Sequence, residues 1–196
     1  MKPMITRTAQ AVSLLALAAG LSTPAFAALT GDYGTSHWTT TNTAGGNGTV
    51  VATPDRVEMT SADFSLVDAL PVESWLSHAI TVTQDTQLSF DWHYRTDDMS
   101  SSFDVFGYTV NGVFTQLSQD GLSFLDLQGG HQSLRVSAGS TFAWSLRSQD
   151  SEGGAAVVTL DGLSAVAAVP EPSSYALMAL GLGLLGWRGR RARRGS

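Results

Sequence analysis

Between Thr86 and Arg95 the chain alternates without a break. Leu88, Phe90, Trp92 and Tyr94 fall on one side, and Gln87, Ser89, Asp91, His93 and Arg95 on the other. A period of two over ten residues suits an antiparallel strand with one face in a core and one in water, and no helix can place those aromatics together. Thr141–Gln149 repeats the pattern, with Phe142, Trp144 and Leu146 predicted inward and Ala143, Ser145 and Arg147 outward. His131–Ser137 and Ala155–Leu163 follow it more weakly, and shorter strands are expected at Gly48–Ala52, Arg56–Thr60, Ala62–Val67 and Ala79–Thr83. Phe103–Val110 and Val113–Ser118 are joined by Asn111-Gly112, the dipeptide that best tolerates the two positive φ values of a type I′ hairpin turn. Pro54-Asp55, Asp97-Asp98, Asp120-Gly121, Gly129-Gly130, Gly139-Ser140 and Gly153-Gly154 punctuate the rest. Seven to nine short alternating strands predict an all-β antiparallel sandwich of jelly-roll type.

The sandwich occupies only the middle of the 196 residues, taken as 28–168, and the two ends differ in composition. Four arginines (Arg56, Arg95, Arg135, Arg147) face sixteen acidic side chains between Asp32 and Asp161, leaving −12 where the whole chain carries −6. Such a surface repels phosphate backbones, which excludes nucleic acid as a partner of the domain. The absence of cysteine removes disulfides, thiolate metal sites and thiol nucleophiles.

Residues 1–27 have the order of a secretory signal peptide: Lys2 and Arg7, the apolar run Ala11–Leu21, then Ala25-Phe26-Ala27 with small residues where signal peptidase requires them. Cleavage is expected after Ala27. At the other end Val169-Pro170-Glu171-Pro172 precedes the apolar Tyr175–Trp187 and the arginines Arg188, Arg190, Arg191, Arg193 and Arg194. The two prolines disfavour helix, keeping this segment extended and readable by a processing enzyme. Thirteen apolar residues as a helix span about 20 Å, so a transmembrane helix over about 174–187 needs a thinned bilayer or snorkelling flanks. The arginines then stay cytoplasmic and the cargo lies on the outer side.

Pro170-Glu171-Pro172, a glycine-spotted apolar segment and an arginine-rich end resemble the PEP-CTERM sorting signal of Gram-negative bacteria over residues 169–196. The same tail pattern also goes under an ice-binding-protein C-terminal name, which concerns the tail and not the cargo. The resemblance implies an exosortase, a transpeptidase-like membrane enzyme, as processing partner, and export linked to exopolysaccharide. Within the cargo, Phe90-Asp91-Trp92-x-Tyr94-x-Thr96-Asp97, then Asp104 and Tyr108–Gly112, then Ala138-Gly139, Phe142-x-Trp144 and Ser148-Gln149-Asp150 resemble small lectin-like β-sandwich domains.

Candidate sites are sparse. Asp97, Asp98 and Asp104 surround one loop and Asp150 and Glu152 another. Calcium, which takes six to eight oxygens, is the candidate ion if the loops meet, although Asp is also an ordinary turn residue. Asp91 with Asp104 or Glu152 is the carboxylate pair a small glycoside hydrolase would need. His37, His78, His93 and His131 show no metal-ligand spacing, and no G-x-S-x-G elbow is present. Trp38 and Trp75, in loop-like surroundings, are the candidate platforms for stacking sugar rings, although core packing is the commoner role of a tryptophan. These features together point to an exported, non-catalytic matrix protein, with signal peptidase and exosortase as processing partners and extracellular polysaccharide as a candidate ligand. The alternatives are a calcium-dependent carbohydrate-binding module and, third, the hydrolase.

Overall fold

The alternation read from the sequence is realised as ten strands in two sheets. The structure, a computed structural model, describes residues 29–64 and 72–167 together with Gly181. The expected signal peptide, transmembrane helix and arginine tail lie outside the described residues. Among the described residues no helix is long and apolar enough to cross a membrane. Two short 3₁₀ turns, Gly31–Tyr33 and Thr35–His37, lead into the strands β1 (Thr39–Asn42), β2 (Thr49–Ala52), β3 (Val57–Thr60), β4 (Ser74–Thr81) and β5 (Thr86–Thr96). They are followed by β6 (Asp104–Val110), β7 (Val113–Gln116), β8 (Gln128–Val136), β9 (Thr141–Ser148) and β10 (Ala156–Ala167).

One sheet has the order β1-β4-β9-β6-β7 and the other β2-β3-β10-β5-β8, with every pairing antiparallel. Without the edge strands β1 and β2, the orders 4-9-6-7 and 3-10-5-8 are the two interleaved four-stranded sheets of a jelly roll, as expected. The β6–β7 hairpin turns at Asn111 and Gly112, with φ of 50° and 80°, the turn the dipeptide announced. Two expectations shift. Of the strand expected at Ala62–Val67, Ala62–Phe64 adopts none and 65–67 lie outside the described residues, and the strand expected at Ala79–Thr83 starts earlier, at Ser74.

The inward faces meet in one aromatic core. Phe90, Trp92 and Tyr94 of β5 face Phe106 of β6 and Phe142, Trp144 and Leu146 of β9, all buried. Phe142 and Phe90 both meet Trp144 edge to face, at 5.5 and 5.7 Å between centroids, an arrangement that satisfies the ring quadrupoles.

The core closes differently at its two ends. Ala167, the last residue of β10, pairs with Thr86, and Tyr33 bonds the Thr86 hydroxyl, so both chain ends leave from this pole. Mainly apolar residues seal it, Val82, Leu88 and Val136, with Thr86 the buried polar residue among them. At the far pole, where β5 ends and β6 and β10 begin, the sealing residues are polar. They are Ser61, Ser74, Thr96, Asp98, Asp104, Ser148 and Ser151.

Candidate functional site

The far pole collects the described parts of four connections: Ser61–Phe64 with Val72 and Glu73, Asp97–Phe103, Leu117–Leu127 and Gln149–Ala155. Backbone bonds join them. Phe64 N–H donates to Ser151 O, Asp97 N–H to Ala155 O, and Ser101 N–H to Leu122 O. The loops carrying the predicted acids therefore do meet, but their carboxylates do not point to one place. Asp97 faces outward and pairs with Arg95 at 2.8 Å. Asp150 accepts the Glu152 N–H at 3.3 Å, the turn role Asp commonly plays. Among the described residues, no three or more His, Asp or Glu side chains are arranged to hold a metal ion. The five-acid calcium cluster is not assembled as a cluster.

Two of the five acids are brought inside. Asp104 begins β6 on its inward face, in register with Ser148, and is fully buried. Its Oδ2 accepts from the Thr96 hydroxyl at 3.2 Å, and its Oδ1 has no hydrogen-bond partner. Burial pushes its carboxyl up to about 7, against the hydroxyls of Ser61, Ser148 and Thr96, which favour the charged form. Asp98 is buried beside it. The Asp98 N–H donates to Thr96 Oγ1 at 3.1 Å, and its own Oδ1 accepts the Met99 N–H at 2.5 Å. Its carboxyl is raised by burial and then by the charges of Asp150 and Asp63, an effect its bond from Met99 partly offsets. Tyr94, whose hydroxyl donates to the Asp104 carbonyl at 2.6 Å, is raised by burial and by Asp104. A buried acceptor without a donor costs roughly 1–3 kcal/mol, more when charged, so Oδ1 of Asp104 marks the place where this pole is incomplete.

The pleat separates Asp91 from Asp104, the first of the two partners considered for a glycosidase pair. Asp91 projects from the outer face of its sheet, where its Oδ1 meets His131 Nδ1 at 2.7 Å, whereas Asp104 projects into the core. Carboxylates on opposite sides of a sheet cannot flank one glycosidic bond.

The tryptophans also separate. Trp38 is only 8% exposed, because the 3₁₀ segment folds it between the sheets. There it stacks on Trp144 at 4.4 Å and on His78 at 5.0 Å, and donates from Nε1 to the Tyr33 carbonyl at 2.9 Å. It is a core residue and no platform. His78 is drawn into the same stack, and burial lowers its pKa to about 4. Trp75 lies in β4 rather than a loop and points to the outer face, half-buried. Glu73 holds its Nε1 at 2.9 Å, Phe114 of β7 meets its ring edge-on at 5.0 Å, and the Arg147 guanidinium lies 5.9 Å from its centroid.

Residues 168–194, immediately after β10, match the PEP-CTERM protein-sorting motif, a mark of exported proteins in Gram-negative bacteria. No curated protein matches the chain. Among solved structures, the K1 cleaved adhesin domain of Lys-gingipain from Porphyromonas gingivalis matches with 13% identity, 68% of this chain and 92% of that one, at a TM-score of 0.41. The module TmCBM61, solved with β-1,4-galactotriose, matches at 10% identity, covering 66% and 88%, with a TM-score of 0.37. The N-terminal cellulose-binding domain of a β-1,4-glucanase from Cellulomonas fimi matches at 11% identity, covering 67% and 89%, with a TM-score of 0.33. Scores of this size describe a general likeness of strands and no shared site.

Proposed function

We propose that the chain is an exported, non-catalytic component of the cell envelope or extracellular matrix, associated with exopolysaccharide. The observation that carries this reading is the sorting motif joined directly to the last strand of the sandwich. Signal peptidase removes residues 1–27. The 174–187 segment then holds the chain in the inner membrane with its arginines inside, and exosortase acts at Pro170-Glu171-Pro172. Because β10 delivers the tail at the pole bearing both chain ends, the four loops of the far pole face away from that membrane. A chain truncated after Ala167 should fold, leave the cytoplasm and miss the cell surface and matrix. Unchanged surface delivery of the truncated chain would contradict the reading.

A calcium-dependent carbohydrate-binding module is the second reading, and Asp104 favours it. A divalent cation between Asp98 and Asp104 would satisfy the unpartnered Oδ1 and relieve two raised carboxyls, with Thr96 and the serines adding oxygen ligands. Two carboxylates are few for calcium, so affinity would be modest. The melting midpoint should rise in millimolar calcium, and Asp104→Asn should abolish that rise, because a ligand of the native state must stabilise it.

A further inference from the structure

The two sheets have four edges, and three of them are blunted in the same way: β1, β2 and β7 are each four residues long. Short edge strands offer few free backbone groups to recruit another chain. The fourth edge, β8, runs for nine residues, Gln128–Val136, and pairs with β5 without a bulge. It contains no proline, and Arg135 is its one fixed charge. Among the described residues its backbone bonds to the backbone of no element other than β5.

The sequence of β8 is complementary to itself. Two copies related by a two-fold axis, running antiparallel with Gln132 opposite Gln132, pair the whole strand. Gly129 then faces Arg135 of the second copy, Gly130 faces Leu134, and His131 faces Ser133. At each of these steps a small residue meets a larger one, the pairing that lets side chains pack across strands.

Gly130 is where the fit matters most. It lies opposite Trp92 on the inward face of the sheet, and a Cβ there would stand 3.0 Å from the indole Nε1 and 3.3 Å from Cε2. The missing side chain leaves the edge of Trp92 open at the seam between the sheets. There it borders a cleft of about 270 Å³ whose walls include Leu117, Leu122 and Leu127. Leu127, just before the strand, is 79% exposed, and Leu134 is half-buried. Leu134 of the second copy covers the glycine and sets hydrocarbon beside the indole.

Charge also favours a second copy. Sixteen acids lie between Asp32 and Asp161, yet none falls in β8. Arg135 is exposed and forms no ion pair among the described residues. The two-fold axis sets it opposite Gly129, on the outer face that carries Asp91 and Asp161. The two arginines stay six strand positions apart, roughly 20 Å at the rise of an extended strand.

We propose that β8 is a homodimer interface, at which two five-stranded sheets join edge to edge into one continuous sheet. The proposal goes beyond the matrix reading and does not depend on it.

The test is sedimentation equilibrium of the full chain in detergent, with oxidative cross-linking at engineered cysteines, which compete with no native cysteine. The parent should be a dimer at micromolar concentration. Gln132→Lys sets like charges opposite each other at the two-fold axis. It should weaken the dimer about tenfold or more, with the melting midpoint of the dilute protein nearly unchanged. Gln132→Cys should cross-link to itself, and Thr40→Cys, on the β1 edge, should not. His131→Cys and Ser133→Cys should cross-link faster mixed than either does alone, because the register sets those positions opposite each other. A monomeric parent, a dimer that Gln132→Lys leaves intact, or cross-links that ignore this register would overturn the proposal.

Discussion

The two ends of the sandwich core are made from the same strands and sealed in different proportions of hydrocarbon and polar groups. At the pole where β5 begins and β10 ends, Val82, Leu88 and Val136 close the core with hydrocarbon around one buried hydroxyl, that of Thr86, and the aromatic stack of Trp38, His78 and Trp144 lies close behind. At the far pole the same alternation delivers Ser74, Thr96, Asp104 and Ser148 to the inward positions. Burying hydrocarbon stabilises at about 25 cal/mol per Å², whereas burying a carboxylate without a full set of donors opposes folding. A fold that needed only stability would have used the first solution twice. The second makes the far pole the end where burial of a charged group works against stability.

The largest effect expected from this contrast is in the aromatic core. Trp144→Ala removes the ring against which Trp38, Phe90 and Phe142 all pack. It should cost about 3–5 kcal/mol in denaturant unfolding. A loss under about 1 kcal/mol would mean the stack is not what holds the sheets together.

The far pole should behave in the opposite sense. At pH 8 Asp104 is a buried anion in the native state, and a carboxyl moved from its ordinary value to about 7 corresponds to about 4 kcal/mol of lost stability. Asp104→Asn should therefore stabilise the metal-free protein at pH 8, by up to a few kcal/mol, and do little at pH 4. Destabilisation at pH 8 would show that the charge is already satisfied.

Proton linkage sharpens the contrast further, because the two ends carry shifts of opposite sign. Asp104, raised in the native state, contributes stability that is full below about pH 4 and is lost as pH rises through about 7. His78, held neutral by burial with its pKa lowered to about 4, contributes stability that is full above about 6.5 and is lost as pH falls toward 4. Between pH 4 and 6.5 the two contributions oppose each other. Unfolding free energy measured across that window should rise more steeply with pH in Asp104→Asn than in the parent. Parallel curves would remove one of the two buried groups from the account.

The smallest effect belongs to the outer face of the second sheet. The His131–Asp91 and His93–Asp161 pairs there are roughly half exposed on both sides. His131→Ala should change stability by less than about 1 kcal/mol, and a larger loss would mean that this face is also covered.

Much of this was readable in the residues. The inward aromatics of β5 and β9 followed from strict alternation, and the β6–β7 turn from Asn111-Gly112. Trp75 was harder, since Ser74 and His78 occupy inward positions of β4 and break the apolar rhythm that would have announced a strand. All four residues of β1, Thr39–Asn42, are exposed at a sheet edge, so they carry no apolar signal. Trp38 was legible as a core anchor or a platform but not as one of the two, because a 3₁₀ segment, which has no period to read, folds it into the core. Asp104 was visible as an acid but not as a buried one. The available signal was its place in the series Asp104, Phe106, Tyr108 and Val110, whose common face is the inward one.

The central claim is that a folded cargo is delivered by a tail it does not keep, and the intact mass of the protein recovered outside the cell tests it most directly. The account predicts a chain that starts at Ala28 and ends near Pro170, without any of the five terminal arginines. Recovery of extracellular protein still ending in Arg193-Arg194-Gly195-Ser196 would contradict it.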